Sequence, residues 1–232
     1  MNMQSWNPEE FSGRAPLFPL PNLVLFPHVV QPLYIFEPRY KQMVTDVLAG
    51  DKFVAMALIK PGGDPAGQPP CFPIVCLGRI TFEQALPEGK FNLILQGICR
   101  ARILREIQTD KPYRLADLDL MPERFAPSEA EEFPDVRDQE RREELYLRLR
   151  QANSQAGQQR ELDKLFQADV PLGVLCDILA FTAGINPLSA QELLSETDVN
   201  VRCDRLLNLL GTFAEIGRKE SPTEYPPPFS LN

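Results

Sequence analysis

The sequence predicts an α+β protein in which a curled sheet or small β-barrel carrying one helix is followed by a C-terminal helical bundle. Three observations predict it. Between residues 17 and 121 apolar side chains recur mostly with a period of two, whereas beyond Pro134 the period becomes helical. The 23 prolines lean to the first half, with 15 in residues 1–124 and 8 in residues 125–232. Charge leans the other way: residues 1–124 hold 13 basic and 13 acidic side chains, and residues 125–232 hold 11 and 19. The whole net charge of -8 therefore belongs to the second half. The expected organisation is a flexible N-terminus over 1–14, a β-rich subdomain over 15–123, a linker over 124–134, a helical bundle over 135–218 and a mobile tail over 219–232.

The first half is justified element by element. Pro38 suits the first position of a helix, where a missing N–H costs nothing; Tyr40, Met43, Val44, Val47 and Leu48 then follow helical spacing, and Gly50 suits the stop. Residues 53–59 form a short apolar run suited to a central strand. Residues 61–73 contain five prolines and three glycines and are expected to be a loop. Residues 79–103 read as one long hairpin turning at Pro87-Glu88-Gly89-Lys90. In it Phe91, Leu93, Leu95, Gly97, Cys99, Ala101 and Ile103 share one face, and Gly97 is the natural bulge. Ile80, Phe82 and Leu86 alternate with Arg79, Thr81 and Glu83 on the other arm. A last strand over 114–120 turns Ala116, Leu118 and Leu120 inward and Leu115, Asp117 and Asp119 outward.

In the second half, residues 135–151 pair Glu144 with Arg148 four residues on and align Leu145, Leu149 and Ala152. Residues 171–181 are nearly all apolar and read as a buried helix ending at Gly184. Asn186-Pro187 opens a short helix through Leu193, within which Ser189 and Glu192 have the spacing of a capping box. Asp198 caps a long helix with Cys203, Leu206, Leu207, Leu210, Phe213 and Ala214 inward. Four or five antiparallel helices with short links make a bundle.

Composition narrows the function classes. A single histidine, His28, excludes paired-histidine metal and catalytic motifs. The five cysteines, at 71, 76, 99, 176 and 203, form no CxxC pair and read as reduced thiols in a cytoplasmic protein. No secretory leader, no membrane-length apolar run and no basic half are found, which argues against a membrane or nucleic-acid footprint. Phosphate-cradling loops and nucleophile elbows are missing, so neither cofactor nor metal nor catalytic residue is expected. Asp117 with Asp119, Arg100 with Arg102, and Glu37 with Arg39 each sit two apart; solvated strand faces and a helix start explain them without chemistry.

Several of these residues carry a family resemblance. Leu17-Phe18-Pro19-Leu20-Pro21-Asn22-Leu23-Val24-Leu25-Phe26-Pro27, then Pro32-Leu33-Tyr34-Ile35-Phe36-Glu37-Pro38-Arg39-Tyr40, resembles the opening of the Lon protease N-terminal, substrate-binding domain, in the version found in stand-alone bacterial proteins. The run of residues 91–103 resembles that family's central strand, where aliphatic residues lead into Gly-x-x-Arg. Residues 191–199 with Arg202 and Leu206 resemble its final helical segment. The resemblance spans residues 15–217 and implies a PUA-like β-barrel joined to a helical bundle. It also implies engagement of unfolded or tagged polypeptides, or of a protease or chaperone partner. Full-length Lon proteases continue into ATPase and Ser–Lys protease modules; neither is found in these 232 residues, so the expectation is a non-enzymatic recognition module. His28-Val29 departs from related stand-alone sequences, which often carry glycine there.

The expected polypeptide-binding surface is Phe26, Pro27, His28, Pro32, Tyr34 and Phe36, with Phe72 from the proline-rich loop, because turns on a rigid scaffold often bind ligands. Strand addition at a sheet edge is one way it could bind. The alternative is an RNA-binding PUA-like protein using Arg79, Arg100, Arg102 and Arg105 of the long hairpin; the neutral first half opposes it. A small hydrolase has no positive feature in its favour.

Overall fold

The computed structural model describes residues 6–62, 68–124, 134–152, 156–168 and 170–216. The chain divides into two compact units, one of residues Met1–Pro122 with Asn186–Thr197, the other of Glu123–Ile185 with Asp198–Asn232. The expected tail over 219–232 lies outside the described residues, as do most of the expected linker and residues 63–67 of the proline-rich loop.

The first unit is built on six strands: β1 (Arg14–Leu20), β2 (Val30–Ile35), β3 (Phe53–Leu58), β4 (Ile74–Leu86), β5 (Lys90–Ile107) and β6 (Leu115–Met121). Their order is β2-β5-β4-β3-β1-β6, and β5 also pairs with β6. Only β1 and β3 run parallel; every other pairing is antiparallel. The 18-residue β5 serves three partners by using both edges: β4 pairs along Lys90 to Arg102 on one, while β2 (Phe91 to Gln96) and β6 (Arg100 to Ile107) take successive stretches of the other. One core cluster collects Ala15, Ala55, Ala57, Ala101 and Ala116 with Leu17, Val75, Leu77 and Leu118. Small side chains there let neighbouring strands curl over one another without voids. The N-terminal segment differs from the flexible arm expected over 1–14. Trp6 and Phe11 meet the Phe53 ring edge-on, with centroids 5.9 and 5.5 Å away, and so hold residues 6–13 to the sheet.

Three register shifts interrupt β4–β5 and β5–β6. Leu77 faces Cys99 while Gly78 faces Gly97, so Ile98 is the extra residue, beside the glycine expected to bulge. Ile80 faces Leu95 while Phe82 faces Ile94, which makes Thr81 extra. The third shift leaves Leu104 unpaired and exposed. Each extra residue flips the side chains beyond it to the other face.

Helix α1 (Pro38–Leu48) starts at Pro38 and buries Tyr40, Met43, Val44 and Val47, as the spacing requires. Asp46 on its outer side accepts from Lys111 Nζ (2.6 Å), Tyr113 Oη (2.6 Å) and Gln42 Nε2 (2.8 Å), and these hydrogen bonds lower its carboxyl to a pKa of about 2.

The second unit contains α2 (Pro134–Ala152), α3 (Ala156–Gln167), α4 (Leu172–Thr182) and α6 (Val199–Ile216). The expected Glu144–Arg148 pair is present at 2.7 Å, and Leu145 and Leu149 are buried. Asp198 caps α6, accepting from the N–H groups of Asn200 and Val201. Cys203, Leu206, Leu207 and Leu210 are buried as expected; the side chains of Ala152, Phe213 and Ala214 lie outside the described residues. Helix α4 is apolar except for the terminal Thr182 and for Asp177, which is fully buried and meets the equally buried Arg202 at 3.2 Å.

Helix α5 (Pro187–Ser195), expected within the helical bundle, instead belongs to the sheet unit. Two hydrogen bonds explain why. Arg100, expected on a solvated strand face, is buried and donates from Nε to the Leu194 carbonyl (2.9 Å) in the last turn of α5, where a cation also complements the helix dipole. Gln191 Nε2 donates to the Ile74 carbonyl at the start of β4 (2.9 Å). The capping box expected from Ser189 is corrected too. Asn186 is the cap, its Oδ1 accepting from the Ser189 N–H at 3.0 Å.

Candidate functional site

Strand β2 reads Val30-Gln31-Pro32-Leu33-Tyr34-Ile35 and is apolar on both faces except for Gln31. Its odd residues point into the protein, and Gln31, Leu33 and Ile35 are buried. Its even residues point out: Val30 is 48% exposed and Tyr34 48%, Pro32 is exposed, and Phe36 just beyond is 41% exposed. Four apolar side chains therefore line about 20 Å of one strand face on the solvent side. Tyr34 and Phe36 stack with centroids 5.8 Å apart and planes 27° from parallel. The register widens the stripe, because Pro32 lies opposite Ile94, and Ile94 opposite Phe82, which is 50% exposed. An apolar row thus crosses three strands, beside the row Tyr34–Asn92–Gln84. Contiguous exposure of this kind marks an interaction surface more often than scattered single residues do.

Charged pairs border the stripe. Glu37 and Arg39 pair at 2.8 Å, and Lys90 holds Glu88 at 2.7 Å. The Lys90 ammonium is stabilised by Glu88 first and then by Tyr34, so its pKa is raised, while Lys90 lowers that of Glu88. Tyr40, behind this rim, is pushed up to about 12 chiefly by burial.

The seven residues expected at the site separate into three places. Pro32, Tyr34 and Phe36 share the exposed stripe. Phe26 and Pro27 are buried, and their part is to anchor the loop beneath β2. His28 is half-buried at φ +66, its N–H bonded to the Gly97 carbonyl (2.9 Å) while the Gly97 N–H bonds to the Val29 carbonyl (2.8 Å). Phe72 sits at the entry to β4, under the Lys60 ammonium at 5.7 Å, whereas Phe82 is near the other end of that strand. Val30, Phe82 and Ile94 complete the stripe and were not among the expected residues. Val30 was available from the alternation of β2. Phe82 was not, because the extra Thr81 turns it away from the face it shares by count with Ile80.

The positive φ explains why glycine suits position 28. A left-handed residue with a Cβ costs about 1–2 kcal/mol, partly offset by the greater chain entropy of glycine. His28→Gly is expected to hold or raise stability, by up to about 1 kcal/mol in urea denaturation; a loss beyond 1 kcal/mol would show that the imidazole itself supports the turn.

No described group of three or more His, Cys, Asp or Glu side chains is placed to hold a metal ion, and no described helix is long and apolar enough to cross a membrane. Of the hairpin arginines, Arg79 pairs with Glu10 (2.9 Å) and Arg105 with Asp117 (2.7 Å), which also holds Arg14 (3.0 Å); Arg100 is buried.

The family model of the ATP-dependent protease La (LON) substrate-binding domain matches residues 14–212. Lon protease of Dictyoglomus thermophilum is 27% identical over 205 residues, covering 87% of this chain and 24% of the relative. Lon protease of Trichlorobacter lovleyi is 24% identical over 204 residues, covering 84% and 23%. The chain spans about a quarter of the length of these curated relatives. Among solved structures, the N-terminal domain of a Mycobacterium avium complex Lon protease is similar with a TM-score of 0.62 at 14% identity, covering 85% of this chain and 98% of that one. A Lon N-terminal domain protein from Xanthomonas campestris is similar with a TM-score of 0.58 at 22% identity, covering 84% and 97%.

Proposed function

Because the chain belongs to the family of ATP-dependent protease La (LON) substrate-binding domains, we propose that it recognises polypeptides through the exposed apolar stripe of β2, with a role in recognition and not in hydrolysis. The observation that carries this reading is the stripe itself: Val30, Pro32, Tyr34 and Phe36, joined across the sheet by Ile94 and Phe82. Unfolded or tagged polypeptides are the ligand class, since they present apolar side chains that folded proteins bury. A protease or chaperone would receive what is held there. The circuit of pairings β5–β4–β3–β1–β6–β5 supports the PUA-like barrel, and α2, α3, α4 and α6 supply the bundle. Free thiols at all five cysteines suit a reducing cytoplasmic setting. RNA binding has no comparable support, because three of the four hairpin arginines are paired or buried.

Titration of a fluorescent, reduced and carboxymethylated polypeptide, followed by anisotropy, tests the proposal. Binding at micromolar to tens of micromolar concentration is expected. Tyr34→Ser combined with Phe36→Ser should weaken it at least tenfold, since each ring contributes on the order of 1 kcal/mol or more when covered. No binding at tens of micromolar overturns the reading.

A further inference from the structure

We infer that the bound segment is taken up as an added β-strand on the outer edge of β2, in a register governed by Pro32, an inference that rests on the polypeptide-recognition reading above. The backbone geometry leads there. In an antiparallel pair, alternate residues turn both N–H and C=O toward the partner strand. Gly97 donates to the Val29 carbonyl at 2.8 Å, so the odd-numbered residues face β5. The even-numbered residues, Val30, Pro32 and Tyr34, aim their backbone groups the other way, and no described strand pairs with that side. Pro32 fits this assignment, because its missing N–H falls on the outer edge and not in the ladder with β5. Its carbonyl already accepts from Gln31 Nε2 at 2.7 Å. The edge therefore offers full donor–acceptor pairs at Val30 and Tyr34, about 13 Å apart, with a position lacking a donor between them.

The occupant that matches this edge is an extended polypeptide. It alone supplies backbone donors and acceptors at the strand repeat together with side chains that flank Val30, Tyr34 and Phe36 on the exposed face. A helix engages its own N–H and C=O groups and cannot supply them. Residues of the segment opposite Val30, Pro32 and Tyr34 place their side chains beside the stripe, so the preferred segments alternate apolar with polar residues. Such segments are half-buried strands in folded proteins and become accessible on unfolding. Exposed edges are usually guarded by charge or proline. The six residues of β2 carry no charge, and the single proline blocks a continuous ladder while leaving two anchor points.

The test is an N-methyl scan of a labelled octapeptide in which valine or phenylalanine alternates with threonine, titrated against the full chain. Methylation of every second amide should weaken binding about 5- to 10-fold, with the interleaved amides within twofold. A flat scan, or one with a three- to four-residue period, overturns strand addition while polypeptide recognition stands. Binding of the carboxymethylated polypeptide without binding of the octapeptide overturns it likewise, and failure of both probes overturns the recognition reading as well. Sedimentation that finds β2 occupied by a second copy, as a dimer dispersed by the Tyr34→Ser, Phe36→Ser pair and unaffected by peptide, also overturns it.

Discussion

Replacing Asp177 by alanine is expected to destabilise the helical unit by about 3–5 kcal/mol, because it removes the fully buried one of the two carboxylates that face the buried Arg202. Both side chains are fully buried, and Arg202 Nε lies 3.2 Å from Asp177 Oδ1. Arg202 also meets Glu123, and its Nη2 reaches the Gly173 carbonyl at 3.5 Å. A Cβ on Gly173 would stand 2.7 Å from Glu123 Oε2 and 3.0 Å from Arg202 Nη2, so the group fills its space. Glu123 remains in the variant and keeps the loss toward the lower end of the range. Asp177→Ala combined with Arg202→Met should recover most of the loss, since an apolar replacement of a buried ion pair is often neutral. Urea denaturation followed by circular dichroism measures both. A single-variant cost under 1 kcal/mol would show that Arg202 is supported from elsewhere.

Gly97→Ala is the second large effect, expected at about 3 kcal/mol. A Cβ at this position would lie 2.0 Å from the Phe26 carbonyl oxygen and 3.2 Å from Cys76 Sγ. The obstacle is backbone, tied down by reciprocal bonds between Gly97 and the His28–Val29 turn, so it cannot rotate aside as a side chain would. Relief requires moving the whole turn, which is the base of β2. Loss of stability in chemical denaturation should therefore come with weaker polypeptide binding in the folded fraction. Stability within 1 kcal/mol of the parent would mean that the turn yields more easily than its bonds imply.

Local rules explain how much was legible in the sequence. Pro38 starts α1, Asp198 caps α6, and the turn at residues 87–89 places the hairpin, because each signal acts within a few residues. Face assignments held only as far as the next bulge. Thr81 moves Phe82 to solvent, and no property of Thr81 in isolation announces it. The burial of Arg100 departs from expectation for a different reason, and Asp177, inside a helix read as buried, obeys the same rule. Charge predicts exposure unless a partner exists, and their partners lie 94 residues away at Leu194 and 25 away at Arg202. The assignment of α5 to the sheet follows from the Arg100–Leu194 bond together with that of Gln191 to Ile74. For the site, the exposed half of the motif was legible as alternation in β2. The buried half, Phe26 and Pro27, has the same composition and is distinguished only by the turn that folds it inward.

The central claim is tested most directly by one anisotropy titration of unfolded, carboxymethylated polypeptide against three forms of the chain: the parent, the Tyr34→Ser, Phe36→Ser pair, and Leu104→Ser. Leu104 is a still more exposed apolar residue of β5, away from the stripe in register. The account predicts binding by the parent and by Leu104→Ser within twofold of each other, and at least tenfold weaker binding by the pair with its circular dichroism unchanged. Equal weakening by Leu104→Ser, or none by the pair, would contradict it.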